Sequence, residues 1–207
     1  DEPNKAIEVI GPADNFVLQN CVIAPTSSDL DPDAAQDRGG LVYLNGNNSD
    51  SNKITATIQN NIFKNSGLYF GSVVGGTFTV EGNQFNGNLM SGGKPSVSFG
   101  YINNWNGGDG IGDATISVDG NTFKDIAYIW FPGITDPESN VPVFGSNQWL
   151  DANGNPESAE AIAQKINGTV KTEDGIYVDS QEALEVALEN ANDGDTIVLA
   201  DSFTITS

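Results

Sequence analysis

Five times this chain writes the pattern apolar–x–x–Asn–x–apolar: "VLQNCV" at 17–22, "IQNNIF" at 58–63, "VEGNQF" at 80–85, "VDGNTF" at 118–123 and "FGSNQW" at 144–149. In an unbroken strand side chains alternate between faces, so an Asn three places after an inward apolar residue points outward. It turns inward only if the chain bends at the two residues between, such as Glu81-Gly82 and Asp119-Gly120. At a corner its amide can bond backbone groups that the bend leaves unpaired. The pattern predicts short strands separated by sharp corners, with Asn20, Asn61, Asn83, Asn121 and Asn147 turned into the core.

Those Asn residues follow one another at intervals of 41, 22, 38 and 26. A unit of about 20–25 residues, sometimes doubled or carrying a loop, accounts for all four intervals. Further apolar runs stand between the copies: "LVYL" at 41–44, "GLYF" at 67–70, "SVSFGYI" at 96–102 and "AYIWF" at 127–131. Each unit is then two or three short strands with Gly, Asn and Asp at the bends. Stacked unit on unit at about 4.8 Å, Asn meets Asn in an amide ladder. Phe63, Phe85, Phe123 and Trp149 stack beside it, two residues later.

The expected class is all-β, a solenoid with a small C-terminal α+β segment. The pattern resembles that of right-handed parallel β-helix proteins, the architecture of pectate lyases, phage tailspikes and many microbial surface proteins. The resemblance covers roughly residues 7–150. It implies a fold and leaves activity open, because that architecture carries unrelated functions.

The composition suits many turns and few helices: 24 Gly, and only 38% hydrophobic residues among 207. With 28 acids, 8 bases and no His, the net charge is −20. Such a charge repels nucleic acid and anionic membrane surfaces and invites cations. No apolar run reaches the roughly 18 residues of a bilayer span. Cys21 stands alone in "FVLQNCVI" and reads as a buried thiol, which excludes an internal disulfide and a Cys metal cluster. The chain opens at Asp1 without Met, as a processed protein or a cut piece would. "NNS" at Asn47 and "NGT" at Asn167 are N-glycosylation sequons.

From residue 151 the texture changes, so three segments are expected: 1–150 as stacked coils, 151–175 as a linker with a short helix, and 176–207. In "NPESAEAIAQKING", Asn155 reads as an N-cap, Pro156 as the first helical position and Gly168 as the stop. In "DSQEALEVALENANDG", Asp179 and Glu182 have capping-box spacing. Ala183, Leu184, Ala187, Leu188 and Ala191 make an apolar stripe on that second helix. "DTIVLA" and "FTITS" follow as strands. This tail resembles the opening of a microbial β-helix, where a helix plugs the open end, and here it stands last. It can fold back on its own first coil or complete a neighbouring chain. The second join predicts subunit contacts through Ala183, Leu184, Ala187, Leu188, Ile197 and Leu199 against Ile7 and Val9, and a head-to-tail homopolymer.

Chemistry is sparse, and no catalytic set emerges. Glu81 and Asp119 hold equivalent corner positions, and stacked carboxylates about 5 Å apart suit retaining glycoside hydrolysis. Both lie at solvated corners, so catalysis is not assigned to them. Lys64 and Lys124 follow the ladder aromatics and point to solvent. Asp29, Asp31, Asp33 and Asp37 in "DLDPDAAQD" begin like a Ca²⁺ loop. The likeness to an EF-hand then fails, with Ala34 at its Gly position, so the loop is either a Ca²⁺ site or simply solvated. Tyr128 and Trp130 fall on one face of "AYIWF", as a glycan platform or a subunit contact. The expectation is a structural, self-assembling protein of the cell surface or extracellular space: a surface layer, sheath or filament subunit. The alternative is a carbohydrate-binding or carbohydrate-active β-helix.

Overall fold

A computed structural model describes residues 7–24, 42–45, 53–64, 66–71, 75–87, 97–101, 113–126, 128–130, 140–167, 170–172, 175–178, 180–199 and 203–205. Of the strand at Val97–Tyr101 and of Tyr69, Gly71, Trp130, Asn167, Val170 and Asn190 it describes the backbone alone. The described residues are mostly strand, and nearly all pairing is parallel.

The strands come in sets of three. They are β1 (Ile7–Ile10), β2 (Ala13–Gln19) and β3 (Val22–Ile23), then β4 (Val42–Asn45), β5 (Ile54–Gln59) and β6 (Ile62–Lys64). Next come β7 (Leu68–Gly71), β8 (Gly76–Glu81) and β9 (Gln84–Asn86), then β10 (Val97–Tyr101), β11 (Thr115–Asp119) and β12 (Thr122–Lys124). A fifth set is β13 (Ile129–Trp130), β14 (Val143–Phe144) and β15 (Gln148–Leu150). After it follow α1 (Ala159–Lys165), β16 (Ile166–Asn167), β17 (Val170–Thr172), β18 (Gly175–Val178), α2 (Gln181–Asn190) and β19 (Ile197–Leu199). The chain visits three sheets in rotation. A six-stranded sheet runs β1-β4-β7-β10-β13-β16, and an eight-stranded one β2-β5-β8-β11-β14-β17-β18-β19. A five-stranded sheet runs β3-β6-β9-β12-β15. Each round of the chain therefore adds one strand to every sheet. Every interval between motif copies is a single round, and the long ones carry extra chain after β3, β9 or β10 rather than a second round.

The corner geometry explains why Asn and Gly recur. Asn20, Asn60, Gly82 and Gly120 occupy the same place in successive rounds, with φ of 56, 55, 63 and 62°. That left-handed conformation is open to Gly and, among residues with a side chain, easiest for Asn. Gly82 has a second reason: a Cβ there would lie 2.7 Å from Asn60 Oδ1. After the corner comes the ladder. Asn61, Asn83 and Asn121 are each 1% exposed. Asn61 Nδ2 donates to Asn83 Oδ1 at 3.0 Å, Asn83 to Asn121 at 3.0 Å and Asn121 to Asn147 at 3.0 Å. The same amides donate to the backbone oxygens of Leu18, Ile58, Val80 and Val118. Beside them Phe63 stacks on Phe85 at 4.6 Å and Phe85 on Phe123 at 5.1 Å, with Trp149 tilted on Phe123 at 5.0 Å.

Asn20 is a correction. It is exposed, at the left-handed corner, and the ladder place in its round belongs to Cys21, whose N–H donates to Asn61 Oδ1 at 3.0 Å. Leu18 pairs with Ile58, so the first motif sits one residue later than "VLQNCV" suggests. Cys21 itself is half-buried, since the first round has nothing stacked on its far side among the described residues.

The main core fills the space between the sheets, from Leu18 and Ile23 in the first round to Phe144, Trp149 and Ile166 in the last. Strands alternate accordingly: in β5, Ile54, Ala56 and Ile58 are buried while Thr55, Thr57 and Gln59 are half-buried outside.

Candidate functional site

Three features stand out from this frame: a first round that ends all three sheets, a last round extended by a strand reversal, and two columns of charge beside the five-stranded sheet. No group of three or more His, Cys, Asp or Glu that could hold a metal occurs among the described residues. Asp29, Asp31, Asp33 and Asp37 lie outside them.

The first round ends all three sheets, at β1, β2 and β3. Its inward residues Ile7, Val9, Phe16 and Cys21 pack on the core and stay half-buried, with no strand paired on their far side among the described residues. Ile7 and Val9, expected at a subunit contact, thus already touch their own chain's core. Outward, Ile10, Val17 and Val22 are exposed by 56, 51 and 62%.

The opposite end is built differently from the expected plug. The hairpin from β17 to β18 is antiparallel, and β19 then pairs parallel with β18, so the last two strands oppose the rest of their sheet. "DTIVLA" therefore has a neighbour in its own chain. Helix α2 connects β18 to β19, and Ala183 and Ala187 bury their stripe against Ile176 and Val178, with Leu184, Ile197 and Phe203 packed alongside. Ile176 pairs with Lys171, which pairs with Val143, which pairs with Ser117, an outward row. So α2 lies on the outer face of the eight-stranded sheet. The helix that meets the end of the main core is α1, through Ile162 and Ala163. Ala183 and Ala187, expected against a first coil of their own or a neighbouring chain, pack instead on β18. Leu188 and Leu199 are 60 and 58% exposed, and Ile205 is 67% exposed.

Both helix starts differ from the sequence reading in the same way. Ser158 and Ser180 are the N-caps, each accepting from the backbone N–H three residues on, and α1 runs directly into β16 before Gly168. Ahead of α1, the segment 155–157 covers the edge of β15: Glu157 N–H donates to Trp149 O at 3.0 Å, and Leu150 pairs with Pro156. The Glu157 side chain is 8% exposed and accepts from Lys165 Nζ at 2.5 Å on Oε1, while its Oε2 has no hydrogen-bond partner among the described residues. A cavity of about 130 Å³ remains between α1 and the last round, lined by Phe144, Asn147, Trp149, Ile162 and Tyr177 among others.

Among the described residues, few groups are electrostatically perturbed. Hydrogen bonds from Asn155 hold the Asp151 carboxyl below its usual range, in the tight turn that precedes Pro156. The Asn192 backbone, then its side chain and Lys171, does the same for Asp195. Burial pushes the Tyr128 hydroxyl up; that residue is half-buried, and the Trp130 side chain lies outside what is described. Glu81 and Asp119 are paired neighbours on adjacent strands, both exposed. No helix among the described residues is long and apolar enough to cross a membrane. No protein-family model, curated protein or solved structure matches this chain.

Proposed function

We propose that this protein is a structural, self-assembling subunit of a surface layer, sheath or filament outside the cell. In this reading the rotation of the chain through three sheets, with parallel pairing from the first round to β17, is a right-handed parallel β-helix, and copies join head to tail through the C-terminal segment. One observation carries it. Among the described residues, six of the seven exposed large apolar side chains fall at the two ends of the stack: Ile10, Val17 and Val22 on the first round, Leu188, Leu199 and Ile205 on the tail. Those ends also carry the open edges of the eight-stranded sheet, β2 and β19, which stand at opposite extremes of it. An open edge beside exposed apolar side chains is a template for another chain. A contact between different surfaces that does not close on itself makes a filament.

The test is polymer state. Purified full-length chain is expected to form filaments by negative-stain imaging. The variant Leu188→Lys/Leu199→Lys changes only exposed side chains and is expected to stay as single subunits with an unchanged melting temperature. Wild-type chain that remains monomeric at all concentrations by light scattering overturns the reading.

A further inference from the structure

Two columns of charge flank the outer face of the five-stranded sheet. On one side Lys64, Asn86 and Lys124 are in register on β6, β9 and β12. The two lysines are thus two strand spacings apart, about 9.6 Å. On the other side, across the corner, Glu81 and Asp119 are in register on β8 and β11, one spacing of about 4.8 Å. None of the four makes an ion pair among the described residues, whereas Lys165 and Lys171 both do. The lysines share a cleft of about 590 Å³ with Gln84, Asn86 and Asp125 on its walls. Two cations and one anion there leave a positive site on a chain of net charge −20.

We infer that this face is a lateral contact between copies, in which the Glu81–Asp119 corner of one molecule seats between Lys64 and Lys124 of the next. The inference rests on reading the chain as a self-associating subunit. Molecules this acidic repel one another, so they approach only where cations meet anions. The two columns occupy the same rounds of the chain. For copies side by side at one level, Asp119 stands level with Lys124, and Glu81 level with Asn86, between the lysines. The Asp119 carboxylate lies over Gly145 of the next round, where an added Cβ would come within 2.4 Å of its Oδ1. Because donor and acceptor surfaces differ, the contact repeats sideways, and together with end-to-end joining it builds a layer.

Charge exchange tests it. Lys64→Glu/Lys124→Glu and Glu81→Lys/Asp119→Lys are each made in full-length chain that also carries Leu188→Lys/Leu199→Lys, which removes end-to-end joining. Each alone is expected to sediment as a monomer. Mixed, they are expected to associate at least tenfold more tightly than either with itself, and less tightly as salt is raised. A mixture no tighter than its components overturns the lateral contact. So does a mixture that stays apart while Lys64→Glu/Lys124→Glu alone loses binding to polygalacturonate, which makes the anion an acidic glycan. Neither outcome depends on whether the parent chain forms filaments.

Discussion

Asn83 connects three rounds of the chain at once. It accepts from the Asn61 N–H at 2.9 Å and donates to Ile58 O and Asn121 Oδ1 at 2.8 and 3.0 Å. Leucine fills similar space but leaves the Asn61 N–H and the Ile58 carbonyl buried and unpaired. The expected loss is roughly 1–3 kcal/mol, read as a lower urea midpoint at unchanged slope. Asn20→Gly is expected to leave the midpoint unchanged or raise it slightly, because that side chain is exposed and its φ of 56° suits Gly better. Equal losses from both substitutions contradict the assigned register. The ladder from Asn61 to Asn147 was legible because a polar residue recurs where alternation demands the opposite face. The first motif misled because Val17 and Leu18 are both apolar, so either satisfies the pattern. The doublet Asn60-Asn61 held the missing signal: aligning "LQNC" with "IQNN" puts Asn20 at the corner and Cys21 inside.

At the scale of elements, both helices were visible in the sequence as apolar stripes, yet their destinations were not. A stripe of Ala, Ile or Leu says only that a face is covered, and the turn between β17 and β18 decides by what. That reversal relies on Gly175, at φ 144°, where a Cβ would sit 2.4 Å from Thr196 O. Gly175→Ala is expected to loosen β18, α2 and β19 ahead of the rest, seen as faster amide exchange there and unchanged protection in β5 and β8. Helix α1 is tied down by Lys165 on Glu157, whose side chain is largely covered. Lys165→Met strands that carboxylate, with an expected loss of about 3 kcal/mol, whereas Glu157→Gln/Lys165→Met restores much of it. A double variant no more stable than Lys165→Met alone shows that the charge is not the cause. Asp151 and Asp195 add a pH dependence of known sign. Their folded-state pKa values are depressed, so the stability they lend is present above the ordinary aspartate range and fades as pH falls through the lowered values. Replacing Asn155 by Ala removes the bonds on Asp151, and a smaller acid-side loss of melting temperature is the expected result.

At the scale of the whole molecule, each round touches chiefly the rounds before and after it, so stability is set by neighbours and by the ends. If residues 29–37 hold Ca²⁺, a chelator is expected to lower the melting temperature or disperse the assembly. An unchanged melting curve assigns the acidic loop to diffuse screening alone. The two inequivalent ends of the chain were legible in its order of segments. Their construction was not, because it depends on a strand reversal that local pattern does not encode. The amide ladder gives the whole molecule a direction. Every link points the same way, from the Cys21 N–H through Asn61, Asn83 and Asn121 to Asn147. Bonds in such a file polarise one another, and their dipoles add instead of cancelling. The stack is therefore a weak permanent dipole with a defined north and south, running along its length beside the aromatic core. Two copies stacked in the same sense extend that dipole, while two stacked in opposite senses set like poles together.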